Sequence, residues 1–173
     1  MYNSGMRVVK RNGEYENVSF DKILNRIVAL STENNPLTSI NIDASFVSQK
    51  VIQEIFDGVP TKELDVLSSQ TAISLYSRHP DYAKLASRIV VSNHHKNTLG
   101  TFSEKTEKMF LIDSPLINKE FYELVMTNRV IIDEKINYDK DYLFDYFGLK
   151  TLEKSYLYKI RDEIIERRQD MIM

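Results

Sequence analysis

The chain has 173 residues, and its 23 Lys and Arg against 25 Asp and Glu give a formal net charge of −2. With 42% hydrophobic and 28% charged residues, the composition is typical of a globular protein and excludes a largely disordered one. A chain of this length buries enough of its surface to fold without disulfides or metals. The slightly acidic balance disfavours binding to DNA phosphates, so we expect no nucleic-acid partner.

The sequence contains no cysteine, which excludes disulfides, thiolate metal sites and any reaction of this chain that needs a thiol. No apolar run approaches the roughly 18 residues of a membrane span, and the first residues lack the apolar core of a signal peptide. We therefore expect a soluble, cytoplasmic protein that makes no membrane contact.

The first predicted element is a β-hairpin. Val8 and Val9 precede Asn12-Gly13, the dipeptide favoured in two-residue hairpin turns. Tyr15 and Val18 are the apolar residues of the returning strand. The sequence thus predicts a short two-stranded unit at the start of the chain.

Four amphipathic helices are predicted to follow the hairpin. Ser19 stands at the N-cap position of the first, which the segment Asn34–Pro36 would end. The second starts near Asp43 with Gly58 as its C′ residue, and Thr61 is the predicted cap of the third. The apolar residues of the first and fourth helices recur at helical spacing: Ile23, Leu24, Ile27 and Leu30, then Tyr82, Leu85, Ala86, Ile89 and Val90.

The pattern of predicted elements changes beyond Gly100. Residues 103–111 and 117–128 are predicted to be helices. Two short strands are predicted over 156–160 and 164–167. The second part of the chain therefore predicts helices followed by a hairpin.

Taken together, the patterns predict a mainly α protein with a small β cap. A four-helix domain covered by a β-hairpin would occupy residues 1–100. A partial helical domain with a terminal hairpin would occupy residues 101–173.

Three cations flank the predicted start of the first helix. Lys10 and Arg11 are adjacent in the hairpin, and Lys22 lies in the first helical turn, where unpaired amides and the helix dipole favour an anion. These three side chains are candidates to hold a polyphosphate. Spacing alone favours a solvated hairpin, because neighbouring strand residues point to opposite faces.

Thr61 and Asp65 lie four residues apart on one face of the third helix. They are candidates for polar contacts to a ligand. The alternative is that Thr61 only caps the helix and that Asp65 is a solvated carboxylate. His79, His94 and His95 lack the spacing of metal ligands, so no metal held by the chain is expected. No nucleophile and base share a recognisable motif, so no catalytic residue is predicted.

Three stretches of the sequence resemble the ATP-cone, a nucleotide-binding regulatory domain. They are VVKRNG with VSFDKI (8–13 and 18–23), GVPTKELD (58–65), and HPDYAKLASRI with SNHHK (79–89 and 92–96). A fourth stretch, YFGLKTLEKSYL over 146–157, is similar to the large subunit of class I ribonucleoside-diphosphate reductases of the eukaryotic and viral type. The resemblance therefore covers nearly the whole chain.

The resemblance implies an allosteric site. In the family the cone binds ATP, which sustains activity, or dATP, which shuts the enzyme down by changing subunit assembly. By motif, Lys10, Arg11, Lys22 and Lys96 would contact phosphates, while Glu16 and Asn17 would face the base and sugar. The full set of implied nucleotide-binding residues is Lys10, Arg11, Glu16, Asn17, Val18, Ser19, Phe20, Asp21, Lys22, Thr61, Asp65 and Lys96. Mg²⁺ is expected to accompany the triphosphate, bound by phosphate oxygens and water.

The resemblance also implies partners: the remainder of the large subunit, in the same or a separate chain, other large subunits, and the small radical-generating subunit. The family's reaction needs cysteines that this chain lacks, so we expect no catalysis by this chain alone. Arg168 and Asp170 stand where the family usually has Pro and His. A free-standing nucleotide-sensing protein derived from the reductase is the alternative. A cone-bearing transcription repressor ranks below both, because such repressors carry a cysteine-rich zinc ribbon.

Overall fold

The computed structural model describes residues 5–32 and 37–173. These ranges are mainly helical with a small β component, which confirms the predicted fold class. Helix α1 ends at Ser31, and the helix end predicted at Asn34–Pro36 lies outside the described residues. In chain order the elements are β1 (Arg7–Val9), β2 (Tyr15–Asn17), α1 (Phe20–Ser31), α2 (Ala44–Glu54), β3 (Val59–Pro60), α3 (Thr61–Ser74), α4 (Asp81–Asn97), α5 (Phe102–Phe110), α6 (Lys119–Thr127), α7 (Arg129–Lys135), a 3₁₀ helix (Tyr138–Leu143), α8 (Tyr146–Ser155), β4 (Lys159–Ile160), β5 (Glu163–Ile164) and α9 (Arg168–Ile172).

The residues group into two compact units. The first unit contains the described residues up to Asn93 together with Phe144–Leu149, and the second contains His94–Leu143 and Lys150–Met173. The domain boundary predicted at residue 100 stays a prediction. Within the described ranges, no helix is both long and apolar enough to cross a membrane.

A three-stranded sheet in the first unit has the strand order β2-β1-β3. β1 pairs antiparallel with β2 and parallel with β3, so that Val8 lies opposite both Glu16 and Val59. The side chains of Val8 and Val59 are buried. β1 is therefore the central strand, and it connects the hairpin to the residues that directly precede α3.

The hairpin turn has three residues and not the predicted two. The Lys10 amide donates to the Glu14 carbonyl at 2.8 Å, and the Gly13 amide donates to the Lys10 carbonyl at 2.9 Å. Gly13 has a φ of +86°, whereas Asn12 has no positive φ. This is the hairpin loop in which a turn is followed by one left-handed residue. Lys10 and Arg11 consequently lie at the turn and outside β1.

Gly58 does not have the predicted role of C′ residue, because α2 already ends at Glu54. Its φ of +82° is one that glycine adopts without steric cost. The Gly58 amide donates to the Arg7 carbonyl at 2.7 Å. The glycine therefore turns the chain into register for β3 to pair with β1.

The predicted N-cap of α1 and the predicted start of α2 near Asp43 are confirmed, whereas the predicted N-cap of α3 is wrong. Ser19 and Asp43 each accept a hydrogen bond from the backbone amide three residues further along. Thr61 is instead the first helical residue of α3, with Pro60 at the cap position and no side-chain cap bond. The fixed φ of proline suits this helix start without a cap from Thr61.

Helix α2 packs against both α1 and α3 in the first unit. Arg88 of α4 is buried, and its Nη1 donates to the carbonyl of Leu30 at 2.9 Å, near the end of α1. That carbonyl has no partner within its own helix, so the bond satisfies one group of the helix terminus. The apolar core includes Ile23, Ile27, Leu30, Val47, Val51, Ala72, Leu75, Tyr82, Leu85, Ala86, Ile89, Val90 and Val91.

In the second unit, α5 and α6 fall within two residues of the predicted helices. Strands β4 and β5 pair around Arg161 and Asp162, which have φ values of +49° and +67°. Each strand has only two residues, and residues 165–167 are not in a strand. Helices α7, α8 and α9 were not predicted.

Asp170 is the centre of a buried ionic cluster in the second unit. Its carboxylate accepts hydrogen bonds from Lys105 Nζ at 2.7 Å, the Tyr138 hydroxyl at 2.5 Å and the Arg167 amide at 2.5 Å. Lys105 is fully buried, and this burial lowers the pKa of its ammonium group, against the opposing effect of Asp170. Burial and the Asp170 carboxylate raise the pKa of Tyr138, which therefore keeps its proton and donates it.

Glu153 of α8 is the centre of a second ionic cluster in this unit. It pairs with Lys150 at 3.0 Å and Arg168 at 3.1 Å, and His94 Nδ1 lies 3.5 Å away. Burial opposes ionisation of Glu153, but these partners outweigh it and lower the pKa of Glu153 to about 2. Arg168 is fully buried, and its Nε and Nη1 have no hydrogen-bond partner in the described part of the chain.

Candidate functional site

Three charged side chains meet at the hairpin and the start of α1, and we call them the Glu16 cluster. One oxygen of Glu16 pairs with Lys10 Nζ at 2.5 Å, and the other pairs with Lys22 Nζ. The Lys10 and Lys22 side chains are 43% and 69% exposed. Ion pairs this exposed contribute at most about 1 kcal/mol. The carboxylate therefore orients both lysines but releases them readily to a stronger anion.

A second group surrounds Asp65 of α3, and we call it the Asp65 cluster. Arg11 Nη2 lies 3.3 Å from Asp65 Oδ2, and Arg26 Nε of α1 lies 3.3 Å from Oδ1. Arg11 Nη2 also donates to Asn93 Oδ1 at 2.7 Å. Asp65 is only 11% exposed in its side chain, so its charge depends on these two guanidinium groups for compensation.

The backbone places the two clusters side by side. Lys10 directly precedes the hairpin turn and Arg11 is its first residue, and each contributes to one cluster. Lys22 and Arg26 are four residues apart on α1 and so share one face of that helix. Together the clusters contain four basic side chains and two carboxylates, a net charge of +2.

This charge distribution suits a compact polyanion. The lysine ammonium groups are exposed and exchangeable, while the two guanidinium groups are fixed by Asp65. The amino terminus of α1, capped by Ser19, adds the positive end of a twelve-residue helix dipole. A group with several phosphates matches the number of these cations.

The structure places the other predicted residues as follows. The Val18 amide donates to the Met6 carbonyl at 2.9 Å and extends the pairing of the hairpin. Thr61 lies in the first turn of α3, the same helix as Asp65. Lys96 lies in the last turn of α4 and belongs to the second unit. The remaining residues follow one another around the start of α1: Asn17 at the end of β2, Ser19 at the N-cap, and Phe20 and Asp21 in the first turn.

Sequence reasoning missed two members of the Asp65 cluster. Arg26 follows Lys22 by one helical turn, and this spacing is a signal that would have found it. Asn93 has no comparable local signal, because it meets Arg11 only through the folding of α4. Its Nδ2 also donates to the Lys62 carbonyl at 3.5 Å.

Comparison with known proteins gives two consistent results. A family model described as the ATP cone domain matches residues 6–97. The chain is 46% identical to the ribonucleoside-diphosphate reductase large subunit of Arabidopsis thaliana over 175 residues, which cover 97% of this chain and 21% of that protein. The corresponding large subunits of Dictyostelium discoideum and Vaccinia virus (strain Copenhagen) are 46% and 45% identical, over 98% and 97% of this chain and 20% and 22% of theirs.

The chain thus spans about a fifth of the length of these relatives. The matched range 6–97 is more than half of its 173 residues and contains every member of the Glu16 and Asp65 clusters. Two parts of the chain that are distant in sequence, the hairpin with α1 and the start of α3, therefore build one charged site inside the matched region. The chain belongs to the ATP cone domain family, and it is similar over nearly its whole length to the amino-terminal part of eukaryotic and viral ribonucleoside-diphosphate reductase large subunits.

Proposed function

We propose that the chain binds ATP or dATP at the Glu16 and Asp65 clusters, as an allosteric effector of a ribonucleoside-diphosphate reductase. The observation that carries this proposal is the convergence of Lys10, Arg11, Lys22 and Arg26 on one site with a net charge of +2. All four residues lie within the range matched by the ATP cone domain.

Binding of the triphosphate would exchange partners in the Glu16 cluster. Phosphate oxygens carry more charge than a carboxylate and accept charge-assisted hydrogen bonds from lysine. Lys10 and Lys22 would move from Glu16 to the phosphates, and Glu16 would become available to the sugar or base. Arg11 would stay held by Asp65 and Asn93 while it faces the phosphates.

The two effectors differ by one 2′-hydroxyl group, so discrimination between them depends on a single hydrogen-bonding position. Thr61 and Asp65, which share one helix, are the proposed polar contacts for this part of the site. Mg²⁺ is proposed to accompany the nucleotide on phosphate oxygens and water, because Glu16 and Asp65 already compensate cations of the chain.

The relatives are reductase large subunits, and this proposal extends their role to the chain as a regulatory portion. Its proposed partners are the remainder of a large subunit, further large subunits and the small radical-generating subunit. Effector binding would act by favouring one arrangement of these partners. A coupling free energy of about 1 to 3 kcal/mol is typical of such allosteric effects.

Titration of the purified chain with ATP and with dATP, followed by calorimetry, tests the proposal. We expect saturable binding that weakens at least about 10-fold in the double variant Lys10→Ala/Lys22→Ala, because each charge-assisted hydrogen bond is worth about 1.5 to 3 kcal/mol. The variant Lys50→Ala/Lys84→Ala removes the same charge elsewhere in the first unit and should bind like the parent chain. Absence of both heat and thermal stabilisation at millimolar nucleotide would refute the proposal.

A further inference from the structure

Arg26 has an unused donor in the wall of the candidate site. Its Nε is held by Asp65 Oδ1 at 3.3 Å. Its Nη2 is buried and has no hydrogen-bond partner among residues 5–32 and 37–173. The side chain as a whole is 28% exposed, so part of it is accessible to solvent while this nitrogen is enclosed.

A buried guanidinium donor without an acceptor is unusual. Most buried polar groups in folded proteins are paired, and an unpaired one carries a desolvation penalty of roughly 1 to 3 kcal/mol. Arginine cannot lose its proton to avoid this penalty. The Nη2 of Arg26 would therefore be stabilised by an acceptor, which the described residues do not supply.

The geometry of Asp65 explains why it does not satisfy Arg26 completely. Its two oxygens are divided between two arginines, Oδ2 toward Arg11 and Oδ1 toward Arg26. The Nε of Arg26 consequently shares Asp65 with Arg11, whereas a carboxylate that faced Arg26 alone could accept from two of its nitrogens. The shared carboxylate fixes the orientation of Arg26 and leaves its Nη2 for another acceptor.

We propose that Arg26 is a further nucleotide-binding residue, which donates its Nη2 to an anionic phosphate oxygen of the bound effector. This inference rests on the proposed function of the same site. Arg26 lies on the same face of α1 as Lys22, one turn further from the helix start, and thus continues the line of cations into the site. Lys22 would hold the phosphate chain at its exposed end, and Arg26 would hold it from the enclosed side.

The variant Arg26→Gln tests the inference, with ATP affinity measured by calorimetry on the whole chain. We expect the affinity to fall about 10-fold or more, because a charge-assisted hydrogen bond to phosphate is lost. Arg26→Lys keeps the charge and should recover part of the lost affinity. It also provides the test if Arg26→Gln does not fold. Arg78→Gln is the matched control, since Arg78 stacks on Phe46 in the first unit and not on the site. Parental affinity in both Arg26 variants would overturn the inference.

A second comparison separates a direct contact from an effect transmitted by Asp65. In the background Asp65→Asn, Arg26→Gln should still weaken ATP binding if Nη2 touches the nucleotide. If the substitution has no effect in that background, Arg26 only positions Asp65 and the inference is wrong. The salt dependence of ATP affinity should also become shallower in Arg26→Gln, because one phosphate contact is removed. An unchanged salt dependence would contradict the assignment to phosphate.

These outcomes are distinguishable from failure of the proposed function. If the parent chain binds neither ATP nor dATP, both the proposed function and this inference are wrong. If the parent chain binds and the Arg26 variants bind equally well, only the assignment of Arg26 fails.

Discussion

Glu16 occupies, in this structure, the position that a polyanion would compete for. Its two carboxylate oxygens hold Lys10 and Lys22, one each, at the edge of the first unit. Without this carboxylate, the two lysines would attract anions unselectively, and their positive charges would repel each other when no ligand is bound. Glu16 reduces both effects. Because it already pairs with the lysines, an effector must interact with them more strongly than Glu16 does in order to bind.

Removing this competitor should strengthen the binding of a bare polyphosphate. We expect Glu16→Gln to bind inorganic tripolyphosphate about 3- to 5-fold more tightly than the parent chain, because an exposed ion pair worth up to about 1 kcal/mol no longer opposes binding. Tripolyphosphate isolates this effect, since it has neither sugar nor base for Glu16 to contact. Calorimetric titration of both proteins at low salt provides the measurement.

The variant Glu14→Gln is the control for a general change in charge. Glu14 lies in the same hairpin turn, but its carboxylate accepts from the Asn12 side chain and not from the two lysines. An equal gain in both variants would show that net charge, and not release of Lys10 and Lys22, is responsible.

Sequence reasoning identified several residues of this site but not how they pair. Lys10, Arg11, Lys22 and Asp65 were candidates from charge and helical spacing and again from the family resemblance, and the structure brings Arg11 to Asp65 although 54 positions separate them. The expectation that Lys10 and Arg11 point to opposite faces of a strand does not apply, because β1 ends at Val9 and Arg11 lies in the turn. Pairings of this kind depend on tertiary contacts, which a local pattern does not encode.

At the scale of elements, α9 is anchored by charges and not by apolar packing. Asp170 of α9 accepts from Lys105 of α5, and both side chains are almost completely buried. Arg168 of the same helix pairs with Glu153 of α8. Arg168 and Asp170 thus each have an opposite charge beside them.

The Lys105–Asp170 pair makes an element-scale prediction. Lys105→Met should lower the free energy of unfolding by about 3 to 5 kcal/mol, because it leaves the Asp170 carboxylate buried without its cation. The double variant Lys105→Met/Asp170→Asn should be more stable than the single one, since it removes the uncompensated charge while keeping an acceptor for Tyr138. Urea unfolding followed by circular dichroism measures both. A double variant no more stable than the single one would show that the pair is not the source of the loss.

The elements that sequence reasoning placed well are those with a strong local signal. The cap Ser19, the start of α2 near Asp43 and the apolar stripe of α4 were found from local chemistry and periodicity. The turn at Asn12-Gly13 was placed correctly but assigned the wrong length, because a glycine in the left-handed region serves both loop types. Helix α9 was missed because its five residues are too few to show a period.

At the scale of the whole chain, stability depends on pH through buried carboxylates whose pKa values are shifted. The pKa of Glu153 in the folded protein is about 2, below its ordinary value of 4.5. A depressed pKa stabilises the folded state fully above the ordinary value and loses this contribution as the pH falls through the folded one. Glu166 acts in the opposite direction, because burial raises its pKa.

The chain should therefore unfold more easily between about pH 5 and pH 2, and Glu153→Gln isolates the contribution of Glu153. We expect the parent chain to exceed this variant in unfolding free energy at pH 7 by on the order of 2 to 3 kcal/mol, and the difference to vanish near pH 2. Urea denaturation of both proteins across this range measures the difference. A difference that stays constant with pH would exclude Glu153 as its origin.

The central position of β1 has a consequence for the order in which the chain folds. Its pairing with β2 closes a short loop, which forms within microseconds in isolated hairpins. Its parallel pairing with β3 has to wait until α1 and α2 have brought Val59 back to Val8, since closing so long a loop is entropically opposed. We therefore expect the hairpin and α3 to acquire their fixed relation late, and the Arg11–Asp65 contact to be among the last native interactions to form.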